Sequence, residues 1–218
     1  MDGNRRWAKE QGVSTLKGHK KGAETFLTIT DYAQQLGIPY VTVFAFSSEN
    51  WSRTQKEVGY LMRLFVSVIE QNLERLMSRG SRLQLIGSLE GVDKKVANAF
   101  ASAQEKTKHN TNGTLGICFN YGGQQEVVDA ARSWAEHGAI KKAATVTEFS
   151  SYLYGGADIP PVDLIIRTSG EQRLSGFMLY RSAYAELYFT DTHWPAFTTA
   201  NLDSALTEYA LRKRRFGT

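Results

Sequence analysis

The chain has 218 residues, 42% of them hydrophobic and 22% charged, enough apolar content to bury a sizeable core and most simply read as one domain. A single cysteine, Cys118, excludes an intramolecular disulfide and fits a reducing, cytoplasmic compartment; the charged first residues are not those of a signal peptide, and no apolar run is long enough to span a bilayer. A net charge of +4 favours anionic ligands or membrane surfaces, but the one dense basic run, Arg212, Lys213, Arg214 and Arg215, is not a stripe along a face, which argues against a nucleic-acid module.

Residues 1–7 read MDGNRRW. Asp2, Gly3 and Asn4 are turn formers, and glycine lets backbone amides approach a ligand closely. A carboxylate followed by Arg5 and Arg6 suits a magnesium–phosphate site, the acid taking the metal and the guanidinium the oxyanion. A frayed terminus is the competing reading. Gly18-His19-Lys20-Lys21-Gly22 opens a helix of about four turns, with Phe26, Ile29, Ala33 and Leu36 at helical spacing, and a flexible helix N-terminus is an anion site. A lone His19 there is more often a capping or surface histidine than a catalyst.

A strand is predicted over 40–46 (YVTVFAF), with a polar exit, Ser47 to Arg53. A long helix over 54–78 shows apolar residues on more than one face, suited to a core or to the wall of a lipid cleft. A strand over 82–86, a helix over 93–109 and a strand over 114–119 follow; the last exits into Asn120-Tyr121-Gly122-Gly123 and a helix over 125–135. A short helix over 146–154 precedes Val162 to Ile166, an apolar run expected to be a strand buried on both faces. At its end stand Arg167, Thr168, Ser169, Gly170, Glu171, Gln172 and Arg173. Ligands of open α/β sheets collect beyond the carboxyl ends of strands, so two arginines, hydroxyls and a glycine there form a phosphate grip or else a solvated ion pair. A strand over 185–190 and a helix over 201–215 complete an alternation that implies a parallel sheet flanked by helices.

The blocks MDGN-x-RW, GH-x-x-G, FSSENW-x-R, NYGG, DLIIRTSGEQRLS and AELYFTD-x-x-WP, in this order, resemble the cis-prenyltransferases, the family of undecaprenyl diphosphate synthase, from Met1 to Gly217. The resemblance implies a single α/β domain over 1–218 with a deep apolar tunnel. It implies Mg²⁺-dependent condensation of isopentenyl diphosphate with an allylic diphosphate such as farnesyl diphosphate, each addition giving a Z double bond, toward undecaprenyl diphosphate for a cell-wall lipid carrier. It further implies a homodimer working at the inner membrane face. By the same resemblance Asp2 handles the metal–diphosphate, and Gly3, Asn4 and Arg6 place the allylic diphosphate beside His19. Ser47 and Asn50 assist attack and proton removal. Arg167, Arg173 and Ser175 hold isopentenyl diphosphate, and Glu186 is a second acidic metal contact. Arg215 and Gly217 reach the partner subunit's site, while Arg5, Trp7, Phe46, Ser48, Trp51 and Arg53 complete the substrate contacts. The DDxxD pattern of trans-prenyltransferases is absent.

Thr15, Gln124, Gly176, Tyr180, Arg181 and Ala196 depart from the commonest bacterial pattern and bear on product length and primer. They leave open a short-chain or irregular, lavandulyl-type synthase. A non-catalytic accessory subunit is the further alternative, against which Asp2, Arg167, Glu171 and Arg173 are all present. The family usually has a short apolar strand just ahead of MDGN, so either the start lies upstream of Met1 or another segment fills that place.

Overall fold

The computed structural model describes residues 1–137 and 145–212. The candidates Arg215 and Gly217 lie outside them. The elements run α1 (Asn4–Glu10), α2 (Thr15–Gln35), β1 (Tyr40–Ser47), α3 (Gln55–Arg79), β2 (Arg82–Ile86), α4 (Lys94–Thr107), β3 (Thr114–Tyr121), α5 (Gly123–Glu136), α6 (Val146–Ser150), β4 (Leu164–Arg167), β5 (Glu186–Phe189) and α7 (Thr199–Leu211). The fold is α/β, and every strand pairing among the described residues is parallel. The strands form two sheets, one of three strands in the order β1-β3-β2 and one of two, β4-β5. The residues cluster into two compact units: Met1–Tyr32, Pro161–Leu174 and Arg181 onward make the first, Ala33–Pro160 with Ser175–Tyr180 the second.

In the second unit β3 is the centre. Leu115, Ile117, Cys118 and Phe119 are buried, with β1 and β2 hydrogen-bonded on either side. This is the strand covered on both faces, the property expected of residues 162–166. Of β4 only Ile165 is buried, because β4 has a single partner strand and short apolar stretches do not reveal how many neighbours they will have. Thr54 caps α3 by accepting the Glu57 N–H, and Gly80, at φ 66°, ends it. Its 25 residues extend roughly 37 Å at ~1.5 Å per residue. Leu61 and Ile69 are buried, whereas Val58, Met62, Phe65 and Val68 are only half-buried, so one broad apolar face of α3 is incompletely covered.

In the first unit, α1 begins directly after Gly3, so Asn4, expected in a turn, is helical together with Arg5, Arg6 and Trp7. α2 begins three residues before Gly18, which places GHKKG inside the helix and removes the expected anion site at its N-terminus. The two glycines serve close approach instead. A Cβ at Gly18 would lie 2.9 Å from Ala8 Cβ and collide with the Asn4 carbonyl oxygen; one at Gly22 would collide with the Asn4 side chain. Trp194 seals this contact by donating from Nε1 to the Gly22 carbonyl at 2.8 Å and stacking on Phe197.

Candidate active site

Asp2 and Gly3 form a turn locked to the exit of β4. The Thr168 hydroxyl accepts the Asp2 N–H at 2.9 Å and donates to the Asp2 carbonyl at 2.8 Å, while the Trp194 N–H donates to the same carbonyl at 2.9 Å. Gly3 sits at φ 103°, where L side chains are strained, and a Cβ there would lie 2.6 Å from Ser169 Oγ and 2.8 Å from His193 Nδ1. Its N–H donates to Asp2 Oδ1 at 2.7 Å. The other carboxylate oxygen, Oδ2, takes Arg167 at 3.1 Å and Arg6 at 3.3 Å. Arg6 also donates to the Ser169 carbonyl at 3.0 Å and to Glu171 at 2.8 Å; Glu171 takes Arg173 at 2.5 Å, and Arg167 donates to the Arg173 carbonyl. Three guanidinium groups thus interlock with two carboxylates beyond one strand end.

The charges act on one another. Half-burial pushes the Asp2 carboxyl up, but the hydrogen bonds from Arg167 and the Gly3 N–H, with the charges of Arg6 and Arg167, hold it below the usual carboxylate range. Glu171 is lowered first by its hydrogen bond from Arg173, then by the charges of Arg173 and Arg6. No three His, Cys, Asp or Glu side chains converge among the described residues, so a bare cation lacks a protein cage here. The donor set fits a Mg²⁺ carried on diphosphate: the Asp2 carboxylate would hold the metal, and Arg6, Arg167 and Arg173 would supply donors for the phosphate oxygens.

Other candidates in this unit are placed around the turn. Asn4 lies against Gly22, Trp7 accepts at its carbonyl the Gln11 N–H that ends α1, and Arg5 is exposed. His19 is buried on α2. Glu186 starts β5 opposite Leu164, whereas Arg167 pairs with Phe189. At ~3.3 Å per residue that three-residue offset puts Glu186 roughly 10 Å along the ladder from the Asp2 turn. There it accepts from Arg212 at 2.8 Å, and Arg212 also pairs with Glu208. Within the chain the two acids do not meet at one point.

The second unit holds the remaining candidates at the exit of β1. The β1–β3 register slips on both sides of Phe46, a bulge that ends the strand and re-aims its last side chains. Phe46 is buried, edge-on to Trp51 at 4.9 Å and stacked with Phe119. The following 3-10 turn brings Asn50 Oδ1 onto the Ser47 N–H at 3.3 Å. Glu49, which the motif reading passes over, is held below the usual carboxylate range chiefly by its own backbone N–H, against burial, with the Ser47 and Ser48 hydroxyls adding to the effect. Arg53 pairs with Glu57 at 3.3 Å. Asn120, at φ 46°, takes Trp51 Nε1 at 2.7 Å and donates to the Ser88 carbonyl at 3.1 Å, so the NYGG block fixes the indole. Ser175, at φ 50°, opens the segment that ends at Tyr180.

Thr168, His193 and Asn120 are the contributors that sequence reasoning missed. Asn120 stood inside a recognised motif without an assigned task, and Thr168 was read as a phosphate-grip hydroxyl and not as the clamp on Asp2; His193 fell on a position that the motif leaves open.

The family model described as "Putative undecaprenyl diphosphate synthase" matches residues 1–217. An isoprenyl transferase of Thermotoga maritima is 45% identical over 219 residues, covering all of this chain and 94% of its own. A trans,polycis-polyprenyl diphosphate synthase, (2Z,6E)-farnesyl diphosphate specific, of Thermobifida fusca is 44% identical, covering 100% and 78%. Among solved structures, lavandulyl diphosphate synthase of Lavandula x intermedia in complex with dimethylallyl diphosphate superposes with a TM-score of 0.94 at 32% identity, covering 100% of this chain and 95% of that one. A match over nearly every residue, in sequence and in structure, places this chain in the undecaprenyl diphosphate synthase family: it is a cis-prenyltransferase.

Proposed function

We propose that the chain elongates a farnesyl-type allylic diphosphate with isopentenyl diphosphate to a Z-polyprenyl diphosphate, undecaprenyl diphosphate by the family it belongs to. The observation that carries this reading is the interlocked Asp2, Arg6, Arg167, Glu171 and Arg173 cluster beneath a glycine backbone with no room for a side chain. Bond making at the allylic carbon breaks its C–O bond and leaves two more electrons on the departing diphosphate. The positioned guanidinium groups stabilise that charge as it develops. Mg²⁺ bound with Asp2 would neutralise the diphosphate and make it a better leaving group. The isopentenyl double bond forms the new C–C bond, and loss of one proton from the resulting cation restores a double bond, in the Z configuration. Ser47 and Asn50 are assigned to assist attack and accept or relay that proton, with Glu49 adjoining the Ser47 hydroxyl.

Gly3, Asn4, Arg5, Trp7 and His19 are assigned to the allylic side, Arg167, Arg173 and Ser175 to isopentenyl diphosphate, and Phe46, Ser48, Trp51 and Arg53 to further contacts. Glu186 serves as a second, separate acidic metal contact. The half-covered face of α3 supports its role as the wall of an apolar tunnel, where each CH₂ withdrawn from water gains about 0.8 kcal/mol. No helix among the described residues is long and apolar enough to cross a membrane. A dimer lying peripherally on the inner membrane face suits a lipid product. A lavandulyl-type short-chain activity is the second reading, favoured by the 0.94 superposition on that synthase and by the departures at Gln124 and Gly176.

Incubation with labelled isopentenyl diphosphate, Mg²⁺ and either farnesyl or dimethylallyl diphosphate, with products resolved by length, decides between them. Long Z-chains from farnesyl diphosphate are expected. Short products formed only from dimethylallyl diphosphate would favour the second reading, and no product from either primer would point to the accessory-subunit alternative.

A further inference from the structure

The floor of the Gly3 turn is a hydrogen-bonded chain formed by Ser169, His193 and Glu10. Ser169 Oγ lies 2.6 Å from His193 Nδ1, and His193 Nε2 lies 2.9 Å from Glu10 Oε1. An ionised carboxylate only accepts, so in the neutral imidazole Nε2 carries the hydrogen and Nδ1 accepts the Ser169 hydroxyl. Ser169 is buried at φ 81°, a conformation that serine adopts only under constraint, and a buried hydroxyl requires a partner. The residues beside His193 hold the same parts by backbone: the Thr192 carbonyl accepts the Ser169 N–H and the Trp194 N–H donates to the Asp2 carbonyl, both at 2.9 Å.

We propose that His193 is a positioning residue: through Nδ1 it holds the Ser169 hydroxyl and with it the geometry of the Asp2–Gly3 turn and the Arg167–Gly170 loop. This rests on the diphosphate role proposed above for that turn. The bond to Glu10, whose side chain is exposed, orients the ring and contributes less to the geometry. The Ser169–His193 bond occupies the space a Gly3 side chain would fill, so a shift of either partner moves the backbone that faces the diphosphate.

The test replaces the ring one nitrogen at a time and follows kcat/KM for farnesyl diphosphate with saturating isopentenyl diphosphate and Mg²⁺. His193→Asn keeps an acceptor near Nδ1 and is expected to stay within about threefold of the unaltered enzyme, whereas His193→Gln and His193→Leu fall about tenfold. Combining His193→Leu with Ser169→Gly should recover most of the loss, because glycine takes φ 81° and has no hydroxyl to satisfy. Equal activities for the Asn and Gln variants, or a double variant no better than His193→Leu, would overturn the proposal. Asp2→Ala run alongside separates the two levels. An inactive Asp2→Ala beside unaffected His193 variants removes only the positioning role; a fully active Asp2→Ala removes the reading beneath it.

Discussion

At the exit of β4 the polar groups are held by charge, with Arg6, Arg167 and Arg173 spread over Asp2 and Glu171. At the exit of β1 they are held mainly by neutral groups, with Asn50 on the Ser47 N–H, Asn120 on the Trp51 indole and Phe46 edge-on to the same ring. The first arrangement presents donors to an anion and is screened by salt; the second is a short-range backbone cap around an aromatic wall and is not. Under the proposed function the two would meet different needs, the first taking up the negative charge of a departing diphosphate and the second shielding a carbocation from water.

Replacement of Asp2 by Ala is the harshest way to break the contrast. The loss in kcat should be about a hundredfold or more, with circular dichroism unchanged; activity within tenfold would end the metal–diphosphate role. Next comes Asn50→Ala, expected to lower kcat about thirtyfold with KM for either diphosphate little altered, as removal of a group used in proton transfer does. A pure KM effect would assign Asn50 to binding. Arg167→Lys retains the charge but not the fork that reaches both Asp2 and the Arg173 carbonyl. It should raise KM for isopentenyl diphosphate roughly tenfold and make that KM steeper in added KCl, while Asn50→Ala keeps the parental salt response.

The smallest effect is on stability against pH. The Asp2 carboxyl is lowered in the folded chain, so its contribution is full above the ordinary aspartate value of 3.8 and is lost as pH falls through the folded value. Acid unfolding curves of the parent and Asp2→Asn should therefore converge below pH 3.8. Curves that stay parallel there would mean that the arginines stabilise something other than the Asp2 charge.

Much of this was legible in the sequence because the informative residues are adjacent in it. The strand-then-polar exits at 40–53 and 162–173 marked the two candidate clusters, one in each unit, and an acid beside glycine and arginine marked the Asp2 segment. What stayed hidden needed distant partners. Thr168 bonds Asp2 across 166 residues, and nothing in either segment marks the pairing. GHKKG reads as the opening of a helix, but the helix starts at Thr15 and the two glycines stand where contact with Asn4 and Ala8 leaves no space for a side chain. The apolar run at 162–166 suggested cover on both faces, since local hydrophobicity does not reveal whether a strand will have one neighbour or two.

Thr168 has a consequence for motion. One hydroxyl serves both the N–H and the carbonyl of Asp2, so the turn is fastened to β4 by a side-chain rotor and not by a rung of the ladder. Rotation about a single χ1 releases both bonds at once, whereas freeing β4 from β5 requires a stretch of paired backbone to part. Deuterium uptake should therefore report two separate openings, a shallow one at the Asp2 turn and a deeper one in the strands. Thr168→Ser should leave them distinct, and Thr168→Val should make the shallow one shallower still. The Asp2 turn would then loosen at the Thr168 rotor independently of the strands, with the Trp194 N–H, Arg167 and Arg6 still holding it.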